Sequence, residues 1–210
     1  MIPVQEAMKG GFRSSRIRKL AVGLRVKRKG GFTIVELVVA LAIMGIAVSA
    51  AIPGFSRWLP GYRLKSAATE LYSNLHLAKM SAVRDNVEWA VFFDPASFKA
   101  YQIRKAKGPD GKYTEDPVTG FDGQKTILLS KYKGQVSFGH GNATAALGGG
   151  WDDEITFGGT FPNTIVFRPR GMSDSEGYVY LQNEKNATYA VGALTTGLIL
   201  MRKWTGTAWE

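Results

Sequence analysis

The feature that most constrains this chain is the run FTIVELVVALAIMGIAVSAAI, Phe32 to Ile52, whose only plainly polar members are Thr33, Glu36 and Ser49. As a helix this stretch is about 30 Å long, enough to cross the hydrocarbon core of a bilayer. A signal-peptide apolar region runs only about 7 to 15 residues and ends at a small-residue cleavage site, so this run is too long for one. A near copy of its opening, Lys9-Gly-Gly-Phe12, is followed by Arg13, Arg16 and Arg18. No bilayer accepts those arginines, so only the second Lys-Gly-Gly-Phe leads into a spanning segment.

The formal net charge of +10 suggests an anionic partner only if it is spread along the chain. It is not. Residues 1–31 hold nine of the 27 basic side chains against Glu6 alone, which leaves 18 basic and 16 acidic residues from Phe32 onward. The basic head predicts that the N-terminal side of the helix stays cytoplasmic and that the bulk of the chain is exported. With no cysteine there is no disulfide framework and no Cys-ligated zinc or iron-sulfur site.

Pro53-Gly54 and Pro60-Gly61 are positions where the helix should kink or loosen. Beyond them Leu64, Ala68, Leu71, Leu75, Ala78 and Ala82 recur at steps of four and three, one face of an amphipathic helix, with Lys65, Glu70, Asn74 and Lys79 on the opposite face. After Asn86 the period shortens. Segments 88–93, 98–104, 125–129, 135–138, 155–157, 164–167, 178–181, 188–191 and 198–203 are rich in Val, Ile, Phe and Tyr and are separated by Gly, Pro, Asn and Asp. Two spacers, 105–124 and 139–153, read as loops. The fold class is α+β: one long N-terminal helix packed on an antiparallel sheet domain.

The stretch Lys29-Gly-Gly-Phe-Thr-Ile-Val-Glu-Leu37 resembles the N-terminal signature of type IV pilins. The resemblance implies cleavage between Gly31 and Phe32, with Gly30 preceding, by a membrane prepilin peptidase. It also implies N-methylation of Phe32 and assembly into a filament through the apolar helices, with Glu36 as the assembly residue. Further on, Leu75 to Val87 with Phe92-Phe-Asp94, and Ile165-Val-Phe-Arg-Pro-Arg-Gly171 with Gly177-Tyr-Val-Tyr-Leu181, are similar to the GspH/FimT-like minor pseudopilin domain. On that resemblance the chain divides into a cleaved basic leader (1–31), a membrane and filament-core helix (32–53), the amphipathic half of the helix (54–87) and an exported β-rich domain (88–210). The leader is longer than is common in the family, and Met8 is an alternative start. The implied location is the bacterial inner membrane, single-pass, with a periplasmic domain that joins other pilin or pseudopilin subunits.

The chemistry of Glu36 fits that role. A carboxylate near the start of a membrane helix is costly, about 2.5 to 3.5 kcal/mol at the helix centre and less near the interface, so it needs a partner. Cleavage before Phe32 creates a cationic amine one turn away, in the same chain or a neighbour.

Other candidates point to simpler readings. His76 on the helix and His140 in a loop lack a metal-binding spacing. Asp152-Asp153-Glu154 offers oxygen ligands for calcium but reads as a solvated acidic turn, and Asp110 to Asp122 lacks the ligand spacing of an EF-hand loop. Ser14, Ser15 and the other serines have no His/Asp arrangement. The expectation is therefore a structural subunit, not an enzyme, with no cofactor or metal. The competing function is DNA binding in uptake: some minor pilins of this domain family carry a C-terminal Gly-Arg-x-Arg motif. Here Leu198 and Leu200 stand where the arginines belong, leaving Arg202, Lys203 and Trp204, with Arg168 and Arg170, as a basic patch with a stacking group.

Overall fold

The computed structural model describes residues 30–96, 99–107, 125–148, 150, 153–159 and 161–210. The leader up to Lys29, the alternative start at Met8, most of the 105–124 spacer with its acidic residues, and Asp152 lie outside them. The chain forms two compact units that divide between Gly45 and Ile46.

In the first unit, Gly30 to Thr33 are non-helical and the helix α1 (Ile34–Asp85) begins. Its start is fixed by a cap. The Glu36 N–H donates to Thr33 Oγ1 at 3.2 Å, satisfying one of the donors that a helix N-terminus leaves open, while the Leu37 N–H makes the first intrahelical bond, to the Thr33 carbonyl at 3.1 Å. Thr33 and Glu36 stand at the Thr-x-x-Glu spacing of a capping box. From Phe32 to Met44 the large apolar side chains are all more than half exposed.

The second unit opens with the continuation of α1, whose axis breaks between Ser49 and Gly54. Pro53 falls in that break and removes a helix hydrogen bond. No single described helix is long and apolar enough to cross a membrane, but Ile34–Ser49 and Gly54–Asp85 pass that test together. From Leu64 onward α1 is amphipathic, and the six positions of the four-three series are buried to 1% exposure or less. The helix ends at Asp85 because Asn86 adopts φ 52°, the left-handed conformation that closes helices.

Among the described residues eight strands follow: β1 (Trp89–Asp94), β2 (Ala100–Lys105), β3 (Lys125–Leu128), β4 (Val136–Phe138), β5 (Thr164–Phe167), β6 (Gly177–Asn183), β7 (Thr188–Ala193) and β8 (Ile199–Lys203). They form two four-stranded sheets, in orders β3-β2-β1-β5 and β4-β6-β7-β8, with every strand pairing antiparallel. The inner faces of both sheets meet the buried stripe of α1 in one core, where Leu71 and Leu75 join Val91, Phe93, Ile165, Phe167, Val179 and Val191. Four alanines on the helix let the sheets approach closely. The entire core lies within the second unit.

The outer face of the second sheet is covered too. Tyr178, Tyr180 and Ala190 pack under Leu147, Leu200 and Trp209, while the Leu147 N–H donates to the Tyr180 hydroxyl and Trp209 Nε1 to the Ala145 carbonyl. The described part of the 139–153 loop is thus a packed lid on this sheet.

One expected strand is absent. Ile155–Phe157 makes only an isolated bridge, Ile155 to Val179. The Tyr178 N–H donates to the Thr156 hydroxyl instead of a main-chain carbonyl, and Gly158 bridges to Pro162 and Thr164 instead.

Candidate functional site

The first candidate is the N-terminal stretch. Gly30, Gly31 and Phe32 precede the cap, outside any helix, with Phe32 82% exposed. A Cβ built on Gly30 or Gly31 would meet nothing within 4 Å. Nothing among the described residues demands glycine there. Glu36 sits in the first turn, where the helix dipole favours a carboxylate. Among the described residues no cation lies within ion-pair distance of it. Thr33 is the residue that sequence reasoning missed here; its four-residue spacing pattern with Glu36 was the available signal.

The C-terminal basic patch is not assembled. Arg202 and Lys203 are adjacent strand residues and therefore point to opposite faces of the second sheet. Trp204, expected as a stacking group, is only 7% exposed, its ring edge-on to Trp209 at 5.3 Å and its backbone bridged to Trp209. The reason is that the residues after β8 fold back: the Lys203 N–H donates to the Glu210 carbonyl and the Glu210 N–H to the Lys203 carbonyl. Arg202, Lys203 and Trp204 thus do not share one exposed face.

Three of the four polar residues opposite the apolar stripe of α1, Glu70, Asn74 and Lys79, fasten the helix to the rest of the domain. Asn74 is 3% exposed, donates Nδ2 to the Tyr101 hydroxyl at 2.8 Å and accepts from Lys125 Nζ at 3.1 Å. Glu70 accepts from Lys131 Nζ and the Tyr132 hydroxyl. Burial alone would raise the Glu70 carboxyl, but these donors more than reverse it and hold it below its ordinary range. Burial, with Glu70 beside it, pushes the Tyr132 hydroxyl well up. Lys79 Nζ donates to the Gly197 carbonyl at 2.9 Å. Gly197 has φ 79°, and a Cβ there would strike the Gly171 carbonyl, so only glycine lets the two loops meet over Lys79.

His76 is half-buried, edge-on to Tyr72 at 4.6 Å, with its pKa lowered first by burial and then by Lys79. His140 is exposed and its carbonyl accepts from the Thr188 hydroxyl. Asp153 accepts from the Ile155 N–H at 2.8 Å, a local turn contact. No group of three or more His, Cys, Asp or Glu among the described residues is placed to hold a metal ion.

Comparison with known proteins adds two family matches. Residues 26–52 match the prokaryotic N-terminal methylation motif, and residues 67–197 match the type II transport protein GspH family. No curated protein sequence matches the chain. Among solved structures it is similar to the minor pseudopilin EpsH from the type 2 secretion system of Vibrio cholerae, at 12% identity over 66% of this chain and 95% of that one, with a TM-score of 0.45. It is also similar to the type IV minor pilin FimU of Pseudomonas aeruginosa, at 13% identity over 70% of this chain and 97% of that one, with a TM-score of 0.43.

Proposed function

Because the chain belongs to the GspH family of minor pseudopilins and pilins, and carries the prokaryotic N-terminal methylation motif ahead of that domain, we propose that it is the precursor of a subunit placed near the tip of a type II secretion pseudopilus or a type IV pilus. The family is structural and not enzymatic, and it is anchored through its N-terminal helix. In this reading prepilin peptidase cuts between Gly31 and Phe32, Phe32 is N-methylated, and the anchor crosses the inner membrane once with its N-terminus cytoplasmic and residues 88–210 exported.

The observation that carries the proposal is the exposure of the apolar side chains from Phe32 to Val48. Monomeric soluble proteins rarely leave a contiguous apolar surface of this kind, so lipid first and neighbouring helices later are its natural cover. Glu36 supplies the register. Its carboxylate lacks a cation in the described chain, and the amine released at Phe32, in this subunit or the next, provides one. The Thr33 cap keeps the helix start in place while that pairing is made.

Mass spectrometry of membrane-extracted protein from cells with an active prepilin peptidase tests this directly. The expected N-terminus is a methylated Phe32; an intact 1–31 segment would end the filament reading. Glu36→Val is expected to be cut normally yet to be missing from sheared filaments.

A further inference from the structure

The second unit carries a groove of about 870 Å³ along α1. Trp58, Tyr62 and Lys65 on the helix, Lys125 at the start of β3, Tyr189 at the start of β7 and Lys203 at the end of β8 line it. Its chemistry is lopsided. Lys65, Lys125 and Lys203 are exposed cations, whereas the carboxylate among the lining residues, Glu70, is already taken by Lys131 and Tyr132. Two residues from Ala187 in the chain, Lys185 Nζ donates to the Arg57 carbonyl, which holds one further positive charge against the helix, and Glu184 accepts from Gln135 Nε2. This concentration stands out because residues from Phe32 onward hold 18 basic and 16 acidic side chains in all.

Aromatic residues complete the surface. Phe55, Trp58 and Tyr62 form an exposed stripe on α1, with Trp58 stacked on Tyr62 at 4.9 Å and tilted against Phe55 at 6.1 Å. Exposed indole and phenol rings directly beyond an apolar run are what the headgroup layer of a bilayer accommodates, and a cluster of lysines beside them is what anionic lipid attracts. An acidic peptide would explain the lysines but not the three large rings facing water.

We propose that this groove docks the domain onto anionic phospholipid headgroups of the membrane that holds its own anchor, before the subunit enters a filament. The proposal rests on the anchored reading above. Along the helix axis Lys65 lies about 20 Å beyond Ile52, too far to touch phosphates if the helix stands upright. To reach them, Lys65, Lys125 and Lys203 must come down to the headgroup layer with the domain leaning on it. Docking therefore defines a stored, leaning subunit, and extraction into a filament releases the groove.

The full chain has no cysteine, so Ala187→Cys, on the exposed floor of the groove, gives one labelling site, and Met172→Cys, elsewhere in the domain, gives the control. With an environment-sensitive dye at either site, full-length protein is reconstituted in vesicles of phosphatidylcholine alone or with about one-third phosphatidylglycerol, carrying nitroxide headgroup lipids. Site 187 should be quenched in the anionic vesicles only, site 172 in neither, and the quenching should fall away in 1 M salt. Each lysine removed should lower the docked-to-free ratio about fivefold, so Lys65→Gln with Lys203→Gln lowers it about 25-fold. That pair leaves the Lys125 to Asn74 hydrogen bond intact. Equal quenching at 187 in both vesicle types would mean that the groove meets the bilayer without regard to headgroup charge, and loss of quenching to micromolar duplex DNA would give it to nucleic acid; either overturns the proposal, as does quenching that survives the double substitution. Alkaline extraction of the same vesicles reports separately on the anchor, since a chain released by alkali has lost the anchored reading whatever site 187 shows.

Discussion

The two stretches of α1 use the same residue types to opposite ends. In Ile34–Ser49, Val38, Leu41, Ile43 and Met44 lie in every direction around the axis and each is more than half exposed. From Leu64 to Ala82 the apolar residues of the four-three series form one stripe and are buried to 1% or less, with Leu77 and Met80 exposed off it. A stripe means that the partner surface is in the same chain, here two sheets; apolarity on all sides means that the cover comes from outside it. The sharpest way to break this comparison is a pair of truncations. Leu71→Ala opens a cavity between the sheets and should cost about 2 to 5 kcal/mol in urea unfolding, whereas Ile43→Ala should stay within about 0.5 kcal/mol. If Ile43→Ala destabilised the domain as strongly, the apolar stretch would have a partner inside the chain.

A second test moves to the polar shoulder of the packed stretch. Asn74→Ala leaves the buried Tyr101 hydroxyl without its donor and Lys125 without its acceptor, at an expected cost of about 1 to 3 kcal/mol. A cost near zero would mean that the shoulder is solvated after all.

That shoulder also marks where the sequence stops being readable. The stripe from Leu64 to Ala82 is legible because helix periodicity is a local property, and in the proposed function the Gly31-Phe32-Glu36 spacing is legible because an external enzyme and a neighbouring subunit would read it linearly too. Asn74 and Glu70 looked solvent-facing because their partners, Tyr101, Lys125, Lys131 and Tyr132, stand 27 to 62 positions away along the chain and only the fold brings them together. Trp204 looked available for stacking because nothing local signals that Trp209 returns to cover it. Ile155–Phe157 had the composition of a strand, yet one hydroxyl in place of one carbonyl reduced it to a bridge. The lysine groove was invisible for the same reason: Lys65, Lys125 and Lys203 belong to three elements that share no pattern.

The apolar stretch has one polar contact of its own to test. Thr33→Ala removes the cap that accepts from the Glu36 N–H and should destabilise the first helical turn by about 1 kcal/mol. Amide exchange at Ile34 to Glu36 in detergent-solubilised protein should quicken about fivefold while Leu71 and its neighbours are unchanged. An equal change at both places would mean that the two stretches unfold together.

The smallest expected effect separates the stretches by pH. Glu70 belongs to the packed stretch, and its carboxyl is held below the ordinary value of 4.5, because the hydrogen bonds from Lys131 and Tyr132 outweigh the burial that opposes them. The folded protein then holds that proton less tightly than the unfolded chain, so Glu70 contributes stability above pH 4.5 and loses the contribution as pH falls through the lowered folded value. The side chain keeps 31% exposure, which lets water screen the pair, so the contribution is less than about 1 kcal/mol. Glu70→Gln should therefore be slightly less stable than the parent at pH 7 and converge with it near pH 3, in urea midpoints measured at constant ionic strength. A gap that widened on acidification would reverse the sign of the linkage, and would mean that burial governs Glu70 and that the helix is fastened to the sheets by Asn74 and Lys79 without it.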